Sequence, residues 1–141
     1  MTKTELLDAF LHRVWIAGDF AAAQDLFSPT ATARGVVPAM AVGPEDFGIA
    51  AEALRGLVAA PAYRIERTVE QGDWLSALVS VRASGAANGH PVALTGQVML
   101  RFDGDRVAEA HNHFDYLGFF EQLGLLPEEA LGAFLSGRPV G

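Results

Sequence analysis

Between Pro61 and Tyr116 the chain repeatedly alternates apolar with polar residues, and glycine-bearing turns interrupt the alternation. Tyr63, Ile65, Arg67 and Val69 alternate with Arg64, Glu66, Thr68 and Glu70. Only an extended strand sends neighbouring side chains to opposite faces in this way. Gln71-Gly72-Asp73 turns the chain, Trp74 to Ser84 is rich in Leu and Val, and Gly85 to Gly89 turns it again. Val92 to Phe102 reads as another strand, with Val92, Leu94, Val98, Leu100 and Phe102 pointing one way. Asp103-Gly104-Asp105 is a hairpin signal, after which Arg106 to about Tyr116 returns antiparallel.

The sixty residues before this run carry the helical period instead. Thr2 and Glu5 have capping-box spacing, and Leu6, Leu7, Phe10, Leu11, Val14 and Trp15 follow on one face until Gly18 ends the helix. Trp15 is read as core. Asp19 is placed to cap a second short helix that Ser28-Pro29 stops, and Ala31 to Val37 reads as a short strand. Gly43-Pro44 opens a third helix with Phe47, Ala51, Leu54 and Val58 on one face. Gly118 to Gly124 and a segment starting at Pro127 add two short helices. Helices followed by a run of antiparallel strands is the order of an α+β domain. Residues 1–141 are read as one such domain. A sheet of this kind can curl around the helices and leave a pocket, which element order alone does not require.

Composition narrows the chemistry. No cysteine is present, which excludes disulfides, thiolate catalysis and Cys-ligated metals. A formal charge of −7, with no cluster of Lys and Arg to offset it, argues against nucleic acid as a partner. No glycine-rich phosphate loop stands between a strand and a helix. No apolar run is long enough to span a membrane and the N-terminus lacks a signal-peptide core, so a soluble, cytoplasmic protein is expected.

The densest polar cluster is Glu109 to Tyr116, EAHNHFDY, which holds two of the 4 histidines. In a strand, Glu109, His111, His113 and Asp115 share one face, while Ala108, Ala110, Asn112 and Phe114 share the other. Solvation of an exposed sheet face accounts for such a row. A pocket with acid/base chemistry accounts for it as well, Phe114, Tyr116, Phe119 and Phe120 providing the apolar surroundings that lift a carboxylate pKa towards the working pH. A third reading is a metal site, since His-x-His with a carboxylate can hold zinc or iron. It requires three ligands from one strand or a contribution from elsewhere. Trp74 and Tyr63 are core or pocket lining, Arg82 solvates the sheet or reaches the pocket, and Asn112, on the opposite face, is read as structural.

An ordered set of short motifs runs almost the length of the chain. Val14-Trp15-Ile16-Ala17-Gly18-Asp19, Gly43-Pro44-Glu45, Glu70-Gln71-Gly72-Asp73, Asp103 to Glu109, Asp115, and Glu121-Gln122-Leu123-Gly124-Leu125-Leu126-Pro127 follow one another. The set resembles the SnoaL-like polyketide cyclase family. That resemblance implies the cone of the nuclear transport factor 2-like (NTF2-like) superfamily, with N-terminal helices packed on a curved antiparallel sheet that encloses a pocket. It implies a cofactor-free and metal-free cyclase or isomerase, working by intramolecular aldol-type acid/base chemistry on a small hydrophobic carbonyl or polyketide compound, and a homodimer. Asp115 matches the family's catalytic aspartate, with His111 and His113 as assisting groups and Glu109, Trp74, Tyr63, Arg82 and Phe119 around the substrate.

Two positions depart from the pattern. His111 stands where the family carries tryptophan, and Arg82-Ala83-Ser84-Gly85 stands where relatives carry T-H-T-G, without its histidine. Both departures favour a rival reading, a small-molecule-binding domain without catalysis. Epoxide or ester hydrolysis on the same scaffold is a third. Arg101-Phe102-Asp103 invites comparison with the Asp-Arg-Asp set of limonene epoxide hydrolase-like enzymes, although Asp103 falls at the hairpin turn.

Overall fold

The structure, a computed structural model, describes residues 1–37 and 39–140. In chain order it contains α1 (Lys3–Leu11), a π-helical turn (His12–Ile16), α2 (Ala22–Leu26), β1 (Phe27–Arg34), β2 (Ala41–Val42) and α3 (Pro44–Arg55). β3 (Val58–Gln71), β4 (Trp74–Gly85), β5 (Pro91–Asp103) and β6 (Arg106–Phe114) follow, then α4 (Tyr116–Gln122) and α5 (Ala130–Leu135). The strands form one sheet in the order β2-β1-β6-β5-β4-β3, antiparallel except where β1 runs parallel to β6.

The N-terminal helix starts as the spacing predicts. Thr2 Oγ1 accepts from the Glu5 amide at 3.1 Å and Glu5 Oε1 accepts from the Thr2 amide at 3.0 Å. It does not continue as an α-helix to Gly18. After Leu11 it widens into the π turn, closed by the Ala17 amide donating to His12 O at 2.9 Å. The widened turn lets Leu11, Trp15 and Ile16 all face the same interior space. Asp19 is not a helix cap. Its carboxylate accepts from Arg13 at 2.8 Å instead, and α2 begins later, at Ala22. Pro29 lies inside β1 rather than beyond a helix. It sits in the gap between the Phe27–Val107 and Thr32–Glu109 pairs with β6, where no regular ladder needs its missing N–H.

The hairpins fall where the turns predict, with positive φ at Gly72 (57°) and Gly104 (62°). The alternation breaks within β3. A register shift between Ile65 and Arg67 inserts an extra residue into β3. Tyr63 and Ile65 therefore pack inward, while Arg67 and Val69, expected beside them, face out, Val69 being 63% exposed.

Helices cover one face of the sheet. Leu7, Phe10 and Leu11 of α1 and Phe47 and Ala51 of α3 bury against Leu75, Val79, Val98, Leu100 and Phe102. The Phe10, Phe27 and Phe47 rings form its centre, with centroids 5.5–5.6 Å apart. Val92, Phe119 and Leu123 form a second cluster where α4 folds back over the start of β5. Gln122 fastens it there, its Oε1 accepting from the Ala93 amide (2.7 Å) and its Nε2 donating to Ala93 O (2.9 Å).

Candidate functional site

Register on β6 decides which side chains enter the interior. The pairs Leu100–Ala110, Val98–Asn112 and Gly96–Phe114 form one row across β5 and β6. Arg101–Glu109, Met99–His111 and Gln97–His113 form the alternate row. Directly paired residues share a face, and Leu100, Val98 and Ala110 are buried under the helices. Asn112 and Phe114 therefore point inward, and Glu109, His111 and His113 point outward.

Inside lies a cavity of about 130 Å³. Its wall is almost wholly apolar, running from Leu7, Phe10 and Trp15 past Phe27 and Phe47 to Leu94, Phe114 and Phe119. Gly96 makes room for the Phe114 ring, since a Cβ there would collide with it. Among the described residues that line it, Trp15, Arg55, Tyr63, Asn112 and Tyr116 are the ones whose side chains carry polar atoms. Asn112, 7% exposed, donates from Nδ2 to Arg34 O at 2.9 Å, leaving its side-chain oxygen without a protein donor among the described residues. The next residue along, Gly35 (φ 83°), lies so close to the Asn112 backbone that any Cβ there would clash with it.

The two phenols are held as donors. Tyr116 donates to Val36 O at 2.7 Å, and burial pushes its pKa up. Tyr63 donates to Asp8 Oδ1 at 2.6 Å. Burial first, and then the Asp8 carboxylate, pushes its pKa up as well. An amide, two neutral phenols, an indole and a guanidinium offer directional hydrogen bonds, but among the described residues no carboxylate or imidazole lines the cavity to take a proton.

The four-residue row expected on one face of the last strand does not hold together. β6 ends at Phe114, and Asp115 leaves the strand to cap α4, where its Oδ1 accepts from the Gly118 amide at 2.9 Å. A short acidic side chain that bonds the backbone two or three residues on favours a helix start over a further strand residue. Asp115 is exposed and is not part of the cavity wall, although it stands between two residues that are, Phe114 and Tyr116.

Glu109, His111 and His113 lie instead on the uncovered face. Glu109 Oε2 is 2.6 Å from His111 Nε2, and Arg101 Nε donates to Glu109 Oε1 at 3.3 Å. The His111 hydrogen bond first, and Arg101 second, lower the Glu109 pKa. Trp74 is neither core nor cavity lining. Its ring lies 6.3 Å from His111 in an open outer groove of about 450 Å³ shared with Ser76, Gln97, Met99 and His113. Arg82 is exposed and does not reach the cavity. Tyr63 and Phe119 do line it. Among the described residues no group of three or more His, Asp or Glu side chains is placed to hold a metal ion, which removes the geometric basis of the His-x-His reading.

Two wall residues escape the sequence-level reading of the site. Asn112 carries a usable signal, a polar residue alternating with Ala108, Ala110 and Phe114 on the apolar face. Arg55 carries none, because a basic residue in the last turn of a helix needs no function to explain it.

The sequence profile of the SnoaL-like domain matches residues 7–110. The chain belongs to the SnoaL-like family. That match stops short of Asp115 and the Glu121–Pro127 segment. Solved structures agree on the fold of this SnoaL-like chain. A candidate polyketide cyclase from Acidithiobacillus ferrooxidans aligns with a TM-score of 0.74 at 20% identity, covering 86% of this chain and 94% of its own. IdmH of Streptomyces antibioticus, another candidate polyketide cyclase, aligns with 0.75 at 18% identity over 88% and 99%. An LEH-like epoxide hydrolase of M. tuberculosis aligns with 0.64 at 15% identity over 96% of each chain. No curated protein matches in sequence. The architecture is the NTF2-like cone, with helices packed on a six-stranded, mostly antiparallel sheet that is not closed. No helix among the described residues is long and apolar enough to cross a membrane.

Proposed function

We propose that this SnoaL-like domain binds a small hydrophobic molecule of about one ring in the cavity between helices and sheet. The carrying observation is a cavity of about 130 Å³ whose wall is apolar apart from five side chains, with the Asn112 oxygen left open. An apolar cavity of about 150 Å³ accepts benzene, whereas drug-sized ligands occupy roughly 300–1,000 Å³. The size favours a monocyclic ligand over a fused polycycle, and the Asn112 oxygen favours one that carries a hydrogen-bond donor. Calorimetric titration with benzyl alcohol and with a three-ring aromatic alcohol tests this. Saturable binding of benzyl alcohol with a negative heat-capacity change is expected. Absence of binding, or tighter binding of the three-ring compound, overturns it.

A second reading, a cofactor-free cyclase or isomerase acting through Asp115, is favoured by its position between Phe114 and Tyr116 of the wall. The carboxylate then acts at the rim on a carbonyl compound folded within the cavity. Asn caps a helix about as well as Asp, so Asp115→Asn separates catalysis from folding. Loss of turnover with an unchanged melting temperature supports the reading, and full turnover defeats it. The uncovered sheet face exposes Val69, Leu78 and Met99, which suits a homodimer. Sedimentation that returns the monomer mass at micromolar concentration contradicts the dimer.

A further inference from the structure

Arg55 is the charged residue in the cavity wall, and among the described residues its guanidinium has no counter-ion. The structure holds two half-buried arginines, Arg55 and Arg101. Arg101 has Glu109 at 3.3 Å, whereas Arg55 forms no salt bridge among the described residues. Two carbonyls fix its direction. Its Nε donates to Trp15 O at 2.8 Å and its Nη1 donates to Val58 O at 2.9 Å. These acceptors come from the π turn and from the first residue of β3, so the planar group is clamped between two elements. A guanidinium carries five N–H donors, and two are used here. Among the described residues the guanidinium makes no other hydrogen bond, and Arg55 is the charged residue in an otherwise uncharged wall.

We propose that Arg55 receives the carboxylate of the bound molecule, so that the ligand is a small hydrophobic monocarboxylate. This rests on the cavity being the ligand site. The apolar body lies among Leu54, Val58, Val81 and Leu94, and the carboxylate takes the free edge of the guanidinium as a paired, charge-assisted acceptor. Placement of Arg55 in the last turn of α3 suits the helix dipole, and its two carbonyl bonds tie chain segments together. Neither role requires a cation in the wall of an apolar cavity. The chain's formal charge of −7 repels an anion at long range, so selection of a carboxylate must come from this one local group.

The test compares two one-ring probes on the full chain, benzoate and benzyl alcohol, by calorimetry at neutral pH. Benzoate is expected to bind about 10- to 100-fold tighter than the alcohol, the range of a hydrogen bond to a charged group. Added salt should weaken benzoate alone. Arg55→Gln should abolish the preference, bringing the ratio of the two affinities to about one or below, and Arg55→Lys should restore part of it. Equal or tighter binding of benzyl alcohol to the native chain overturns the proposal while the cavity reading stands. Retention of the preference in Arg55→Gln overturns it too. If neither probe binds, both the proposal and the cavity reading fall. Should Arg55→Gln not fold, the comparison on the native chain still decides.

Discussion

The two faces of β6 carry opposite chemistry, and the richer face is the one outside the cavity. Glu109, His111 and His113 concentrate the polar groups of the strand, yet they meet solvent, where Arg101 and Glu109 form a solvated chain with His111. Ala110, Asn112 and Phe114 look inert, yet they form part of the cavity wall. Clustering of titratable residues is cheap on a surface, because water solvates each group. A single amide on a buried face must be satisfied or used, and Asn112 is bonded on one side and open on the other. The poorer face is therefore the more informative one.

Substitutions on the two faces should differ sharply. Phe47→Ala, which opens the three-ring cluster on the covered side, is expected to cost about 3–5 kcal/mol in urea denaturation. Asn112→Ala comes next at about 1–3 kcal/mol, since Arg34 O loses a buried donor. It should also weaken any alcohol bound in the cavity. His113→Ala, on the exposed face, is expected within about 0.5 kcal/mol of the native value by the same measurement. A cost for His113→Ala as large as that of Asn112→Ala would erase the contrast.

The smallest effect concerns acid. The folded-state pKa of Glu109 lies below its ordinary 4.5, with His111 and then Arg101 as causes. A depressed carboxylate contributes stability above the unfolded value and loses it as pH falls through the folded value. Glu109→Gln should therefore differ slightly from the native chain at neutral pH. The two stability curves should merge below the normal carboxylate range. A gap that widens in acid would contradict the pairing.

Much of this fold was legible because strand period and glycine turns are local signals. Val92 to Phe102 points as read, and both hairpins turn at Gly72 and Gly104. Three features were not. The extra residue after Ile65 leaves no mark in the alternation until the partner strand is known. The π turn after Leu11 adds Ile16 to the inward residues, and nothing in the helical period announces it. Asp115 satisfies the strand period and the capping rule equally well, and only the return of α4 over β5 decides between them. For the site, alternation separated the two faces from Glu109 to Phe114, failed at Asp115, and does not say which face the helices cover. Family resemblance directed attention to Asp115, while Tyr63 and Phe119 were placed near a substrate and do line the cavity. Arg55 became visible only once the Trp15 and Val58 carbonyls were seen to hold it.

Residue-resolved NMR during a benzyl alcohol titration tests the central claim most directly. Binding inside the cone predicts saturable shifts of the Asn112 side-chain amide and of the Phe114, Tyr116 and Phe119 signals, with His111, His113 and Trp74 unmoved. Shifts confined to His111, His113 and Trp74 would contradict it and return the site to the outer face.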